Sequence, residues 1–180
     1  MFKSISSLCP HFPYLPILSR APGVFDRMLR GLPDEMVRRN EGEGTWSAFD
    51  VVGHLVHGEK TDWMERIGII MKHGENKPFK PFDRFAQLKD NVGKSMDDLL
   101  DSFAELRARN LKELAALDLR ESDLDRRGAH PNLGPVTLRN LIATWAAHDY
   151  VHIAQICRLL GKFYAPEIGP WMEYMRLLKS

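Results

Sequence analysis

The stretch LRNLIATWAAHDYVHIAQICRL, residues 138–159, decides how the chain is read. Within it Leu138, Leu141, Trp145, His148, His152, Gln155 and Leu159 recur at alternating steps of three and four. At about 100° per residue, that spacing sets all seven on one face of an α-helix. The face is apolar at both ends, yet its middle holds two imidazoles and an amide. A stripe of this kind packs into a core, where an unpaired polar group costs about 1–3 kcal/mol. His148 and His152 therefore need partners. Histidines at i and i+4 can point ring nitrogens at one divalent ion, as zinc-binding helices do. They can equally form a hydrogen-bonded core pair, and the helix alone leaves both readings open.

Working outward, Thr137 is placed to cap this helix and Gly161 to end it. The polar segment from Asp118 to Pro135 holds Gly128, Pro131, Gly134 and Pro135 and reads as a long connection without strands. Short up-down hairpins do not need such a length. Before it, Ser95 and Asp98 make a helix start, and Leu99, Phe103, Leu106, Asn110, Leu114 and Leu117 form the apolar stripe that follows. Ser47 and Asp50 repeat that start signal for a helix expected to run to about His73-Gly74, followed by a loop over Pro78 to Pro81. A first helix is expected to begin between Tyr14 and Pro22 and to end near Gly31. A short helix after Pro170 would carry Trp171, Tyr174 and Met175. The expected fold is all-α: a four-helix bundle with one long crossover connection and a short C-terminal helix.

The 180 residues suit a single domain, 1–180, with a core of its own. At 44% hydrophobic and 27% charged, the composition is that of a globular protein. A net charge of +1, with basic residues no denser than the Arg38-Arg39 and Arg126-Arg127 doublets, argues against nucleic acid as a partner. No apolar run approaches the roughly 20 residues that span a bilayer, which argues against a membrane. Pro10, Pro13 and Pro16 interrupt the N-terminal stretch where a signal peptide would need an unbroken apolar helix. Cys9 and Cys157 make no CxxC pair, and Cys157 is expected to be a small buried residue. The expected location is the cytoplasm.

The helix after Ser47 offers a third imidazole. Val51, Val52, Leu55 and Val56 define its apolar direction, with His54 towards the edge and His57 pointing away, as a solvated histidine would. Gly58, one turn after His54, would let a ligand or another element approach the backbone. Glu59 falls on the apolar side and reads either as a salt-bridged or supporting carboxylate, or as a surface charge near an arginine.

The elements W-S-x-x-D-V-V-G-H-L at 46–55 and L-x-N-L-I-x-x-x-x-x-H-D-Y-V-H-I-A-Q at 138–155 resemble the DinB/YfiT-like superfamily of bacterial four-helix proteins, and the resemblance extends over nearly the whole chain. It implies a crossed bundle topology. It also implies that His54, in the G-H-L element, joins His148 and His152 as the ligand set of one divalent metal ion. Three neutral imidazoles leave an ion cationic and open to a further ligand, the catalytic style of site. An ion so held can acidify a water for hydrolysis, or bind a low-molecular-weight thiol for transfer or isomerisation. Imidazoles suit zinc, nickel and iron alike.

Around these ligands, Gln155 lies on the same face and is the candidate catalytic residue, as a contact for substrate or water. Asp149 would either orient an imidazole or sit at the surface; Trp145 is expected in the core. The expected partner is a small-molecule substrate. Trp171, Met172, Tyr174 and Met175 exceed what a terminal helix needs for docking, so a homodimer is also expected. The competing account is a non-catalytic, metal-stapled dimer that serves as a binding protein.

Overall fold

Three long helices start at reciprocal side-chain caps. In the computed structural model, which describes residues 15–179, Ser47 Oγ accepts from the Asp50 N–H while the Asp50 carboxylate accepts from the Ser47 N–H. The same exchange joins Ser95 to Asp98 and Thr137 to Asn140. Each cap satisfies backbone donors that a helix start would leave bare. They open α3 (Ala48–Thr61), α6 (Met96–Ala116) and α7 (Leu138–Phe163). The remaining helices are α1 (Leu15–Leu29), with Pro22 inside it, α2 (Asp34–Arg38), α4 (Trp63–His73), α5 (Ala86–Asp90) and α8 (Ala165–Ile168). Cys9, Pro10 and Pro13 lie outside the described residues.

Several elements differ from the sequence expectation. The helix after Ser47 is divided at Asp62, whose backbone (φ −117°, ψ −70°) turns the chain from α3 into α4. The segment 118–137 contains a hairpin of β1 (Arg127–His130) and β2 (Gly134–Thr137), paired Arg127 to Thr137 through His130 to Gly134. Strands of four residues are too short for period-two alternation to register in sequence, and a two-stranded ribbon tolerates Pro135. Gly161 does not end α7, which continues to Phe163. A Cβ at Gly161 would lie 2.6 Å from Leu178 Cδ2, so the glycine makes room for the C-terminal segment. After Pro170 that segment forms 3₁₀ turns (Gly169–Tyr174 and Arg176–Leu178), not an α-helix. Cys157 is exposed rather than buried.

The bundle helices are α1, α3 with its continuation α4, α6 and α7. Both α1 and α3 pack against α6 and α7. The first and second bundle helices therefore face each other across a diagonal, as do the third and fourth. The connection 117–137 crosses the end of the bundle to make this possible.

Along the bundle axis, two apolar clusters are separated by a polar layer. One cluster gathers Trp63, Ile67, Ile70, Leu114, Leu138 and Ile142; the other gathers Phe25, Val52, Leu55, Leu99, Phe103 and Ile156. Between them, Arg107 is 1% exposed, Glu59 3% and Asp149 0%. Arg107 Nη1 and Nη2 donate to the two oxygens of Asp149 at 2.7 and 2.9 Å. Its Nε reaches Glu59 Oε1 at 3.0 Å, and Nη1 also donates to the Leu18 carbonyl at 2.8 Å. Glu59 is completed by Trp145 Nε1 on Oε1 at 2.8 Å and by Asn110 Nδ2 on Oε2 at 2.9 Å. Side chains and backbone of α1, α3, α6 and α7 thus meet at one guanidinium. Asp149 is in the core, not at the surface or on an imidazole, and Glu59 takes the salt-bridged reading.

Truncating Arg107 would strand two carboxylates in a dry layer. Breaking a buried pair by removing one partner costs about 3–5 kcal/mol. Arg107→Met should lower the denaturant-unfolding free energy by that order. Adding Glu59→Gln and Asp149→Asn should recover part of the loss. A loss below about 1 kcal/mol for Arg107→Met would show that the layer does not hold the bundle.

Candidate metal centre

Helix α7 presents Asp149 to the core and, about 100° round, His148 to the neighbouring seam with α3. His152 follows one turn later, and His54 comes from α3. His54 Nε2 lies 3.0 Å from His148 Nε2, and His152 Nε2 lies 3.1 Å from the same atom. One ring nitrogen from each of the three falls within 4.8 Å of the others. The three side chains named from the sequence do converge. His54 and His152 are buried at 8% and 7% exposure, and His148 is nearly so.

The rings are held by aromatic contacts. Trp46 lies 4.9 Å from the His54 ring centre, Phe82 meets His54 edge-on at 5.4 Å, and Trp63 meets His148 edge-on at 5.4 Å. Trp63 itself stacks on the buried Trp145 at 5.7 Å. Gln155 Oε1 sits 2.9 Å from His152 Nδ1. An amide oxygen only accepts, so this contact puts the His152 proton on Nδ1 and leaves the Nε2 lone pair facing the other rings. The Nδ1 atoms of His54 and His148 are buried and have no hydrogen-bond partner among the described residues.

Burial, reinforced by the neighbouring imidazoles, pushes His54 down to about 3 and His148 down to about 2. Burial also lowers His152, against the raising effect of Gln155. At neutral pH all three rings are uncharged, the state a metal ligand requires. Four nitrogens set tetrahedrally at about 2.0–2.1 Å from zinc stand about 3.3 Å apart. The observed separations of 3.0 and 3.1 Å are close to that edge. With the protons of all three rings on Nδ1, the Nε2 lone pairs would repel one another unless a cation lay between them. The residues fit a divalent ion.

The histidines form one wall of a cavity of about 370 Å³, also lined by Trp46, Gly58, Asp62, Trp63, Arg66, Phe82, Arg84 and His130. Gln155 is not among the lining residues; its partner is His152. His57 is not solvated as expected: it lies under the 78–85 loop, with Phe82 at 5.2 Å and Asp90 3.8 Å from its Nδ1. Asp62 and Arg66 were not singled out in the sequence. His54, Gly58, Asp62 and Arg66 recur every four residues, a signal that continues the ligand face of α3 into α4. Burial pushes the Asp62 carboxyl up to about 6, even though Arg66 Nε lies 2.6 Å away.

These values fix how stability responds to acid. A histidine whose pKa is lowered by folding contributes fully above its unfolded value of about 6.5, and its contribution is lost as pH falls towards the folded value. Asp62 works the other way: its raised pKa gains stability for the fold as pH falls from about 6 towards 3.8. Three histidines outweigh one carboxyl. The unfolding free energy of metal-free protein should fall steadily from pH 6.5 to pH 4. Replacing His54 and His148 by glutamine should flatten the curve. A stability that is flat or rises on acidification would contradict these assignments.

Comparison with known proteins identifies the family and the fold. The DinB superfamily profile matches residues 17–156. Among solved structures, the chain is similar to YfiT from Bacillus subtilis, described as a probable metal-dependent hydrolase with an unusual four-helix bundle topology. The TM-score is 0.72 at 22% identity, over 83% of this chain and 85% of that one. No curated protein matches the sequence. With the matching profile spanning most of its length and all four bundle helices, the chain belongs to the DinB superfamily.

Proposed function

We propose that this protein is a metal-dependent hydrolase in which His54, His148 and His152 hold one divalent ion at the base of the cavity. The observation that carries the reading is the convergence of three uncharged imidazoles, with His54 and His152 Nε2 at 3.0 and 3.1 Å from His148 Nε2, beside an open cavity. An ion in that setting supplies Lewis acidity, acidifying a water or thiol and polarising a substrate carbonyl. The protein's own residues do the rest. Gln155 fixes the His152 tautomer, and Trp46, Trp63 and Phe82 restrict water at the cavity wall. Asp62, with its pKa near 6, is matched to accept and return a proton close to neutral pH.

Use of a low-molecular-weight thiol in place of water is the second reading. The neutral ligand set supports it, because the ion's whole charge remains available to stabilise a thiolate. A purely structural ion is less well supported. The Arg107 layer already ties α1, α3, α6 and α7 together without any metal. Zinc, nickel and iron all suit the ligands. Among the described residues no helix is long and apolar enough to cross a membrane.

His152→Ala should abolish turnover of ester and thiol-acceptor substrates and reduce metal content well below one ion per chain. Helical content by circular dichroism should stay unchanged. Gln155→Leu should weaken metal affinity about 10–100-fold, as loss of a ligand's hydrogen-bond partner does. Metal analysis and calorimetric titration check both. Full metal content in His152→Ala would remove this histidine from the ligand set. Metal-free protein that unfolds, with metal-loaded protein that turns nothing over, would make the ion a staple.

The C-terminal 3₁₀ turns leave Trp171 68% and Tyr174 71% exposed, with Met175 beside them. Aromatic and methionine side chains in one exposed segment support a homodimer. Sedimentation at micromolar concentration should show a dimer that Trp171→Ser with Tyr174→Ser converts to monomer. Wild-type protein that sediments only as a monomer would dispose of it.

A further inference from the structure

The cavity in front of the histidines carries more cationic and donor groups than its own residues satisfy. Asp62 is the only carboxylate among its lining residues, and Arg66 Nε occupies it at 2.6 Å. Arg84, from the loop between α4 and α5, lines the same cavity and has no carboxylate partner among the described residues. His130, at the end of β1, has its Nδ1 facing two backbone donors, the N–H groups of Asn132 and Leu133, each at 3.2 Å. A ring nitrogen that accepts from N–H groups carries no proton, so the His130 proton is on Nε2 and its other ring nitrogen is a donor. Arg84 is exposed and His130 half-buried, so both donors are open to solvent in the cavity and, among the described residues, free to take an anion.

The rest of the wall is flat and apolar. Trp46, Trp63 and Phe82 face the cavity from three different elements. A volume of about 370 Å³ falls at the small end of ligand sites, about 300–1,000 Å³.

We propose that the substrate is a small organic carboxylate with a flat apolar body, its carboxylate held by Arg84 and His130 and its body by Trp46, Trp63 and Phe82. This rests on the reading of the histidines as the reacting centre. Arg84 is then a specificity-determining residue. It selects among substrates by charge and contributes nothing to the metal ligand set.

The test uses full-length, zinc-loaded protein and two probes of nearly equal shape, benzoate and benzamide, titrated calorimetrically. Zinc content is measured on the same samples. Benzoate should bind at least about 10-fold more tightly than benzamide. Arg84→Gln should remove most of that preference, Arg84→Lys should keep part of it, and zinc should stay equimolar in all three proteins. Equal affinity for the two probes would overturn the proposal, as would no binding of either at 10 mM, a concentration about that of a weak fragment ligand. A benzoate preference that survives Arg84→Gln would also overturn it, since the ion alone would then hold the carboxylate. Absence of zinc with the Arg84-dependent preference intact would sink the metal reading instead and leave the anion site standing.

Discussion

Arg107 is the group on which the arrangement of this bundle turns. A guanidinium 1% exposed would be expensive by itself, but five N–H donors in a rigid fork can be met from several directions at once. Asp149 takes two of them side by side, Glu59 takes another, and the Leu18 carbonyl takes a share. A layer with these directional demands permits one rotation of each helix about its axis, which apolar contacts alone do not enforce.

The consequence reaches the functional site through α7. Because Asp149 must point at Arg107, His148 and His152 cannot; helical geometry turns them to the neighbouring seam, where His54 arrives from α3. Glu59 does the same for α3, one residue past Gly58. The site is thus positioned by groups that take no part in it.

Much of this was legible in the sequence, for identifiable reasons. The caps at Ser47, Ser95 and Thr137 are local interactions within four residues, and a local rule finds them. The seven-residue stripe on α7 is periodic, and its two polar interruptions marked His148 and His152. Gly53 in the G-H-L element has a steric explanation: a Cβ there would lie 2.2 Å from Asn91 Nδ2, where α5 crosses α3. What escaped was non-local. Asp149 and Glu59 could be assigned no partner because Arg107 lies 42 and 48 residues away in sequence. The break at Asp62 and the short hairpin at 127–137 carry no periodic signal. His57 reads as solvated on its helix alone and is covered only by a loop that packs over it.

The central claim for this molecule is that three imidazoles, and no other protein atoms, hold a metal ion. X-ray absorption at the zinc K-edge of the loaded full-length protein tests that most directly, because it reads the ligand shell itself. The expected spectrum shows three imidazole nitrogens at about 2.0–2.1 Å, with their outer-ring scattering, and a further light ligand. Sulfur in the first shell, or fewer than two imidazoles around the ion, would contradict the ligand set proposed for this fold.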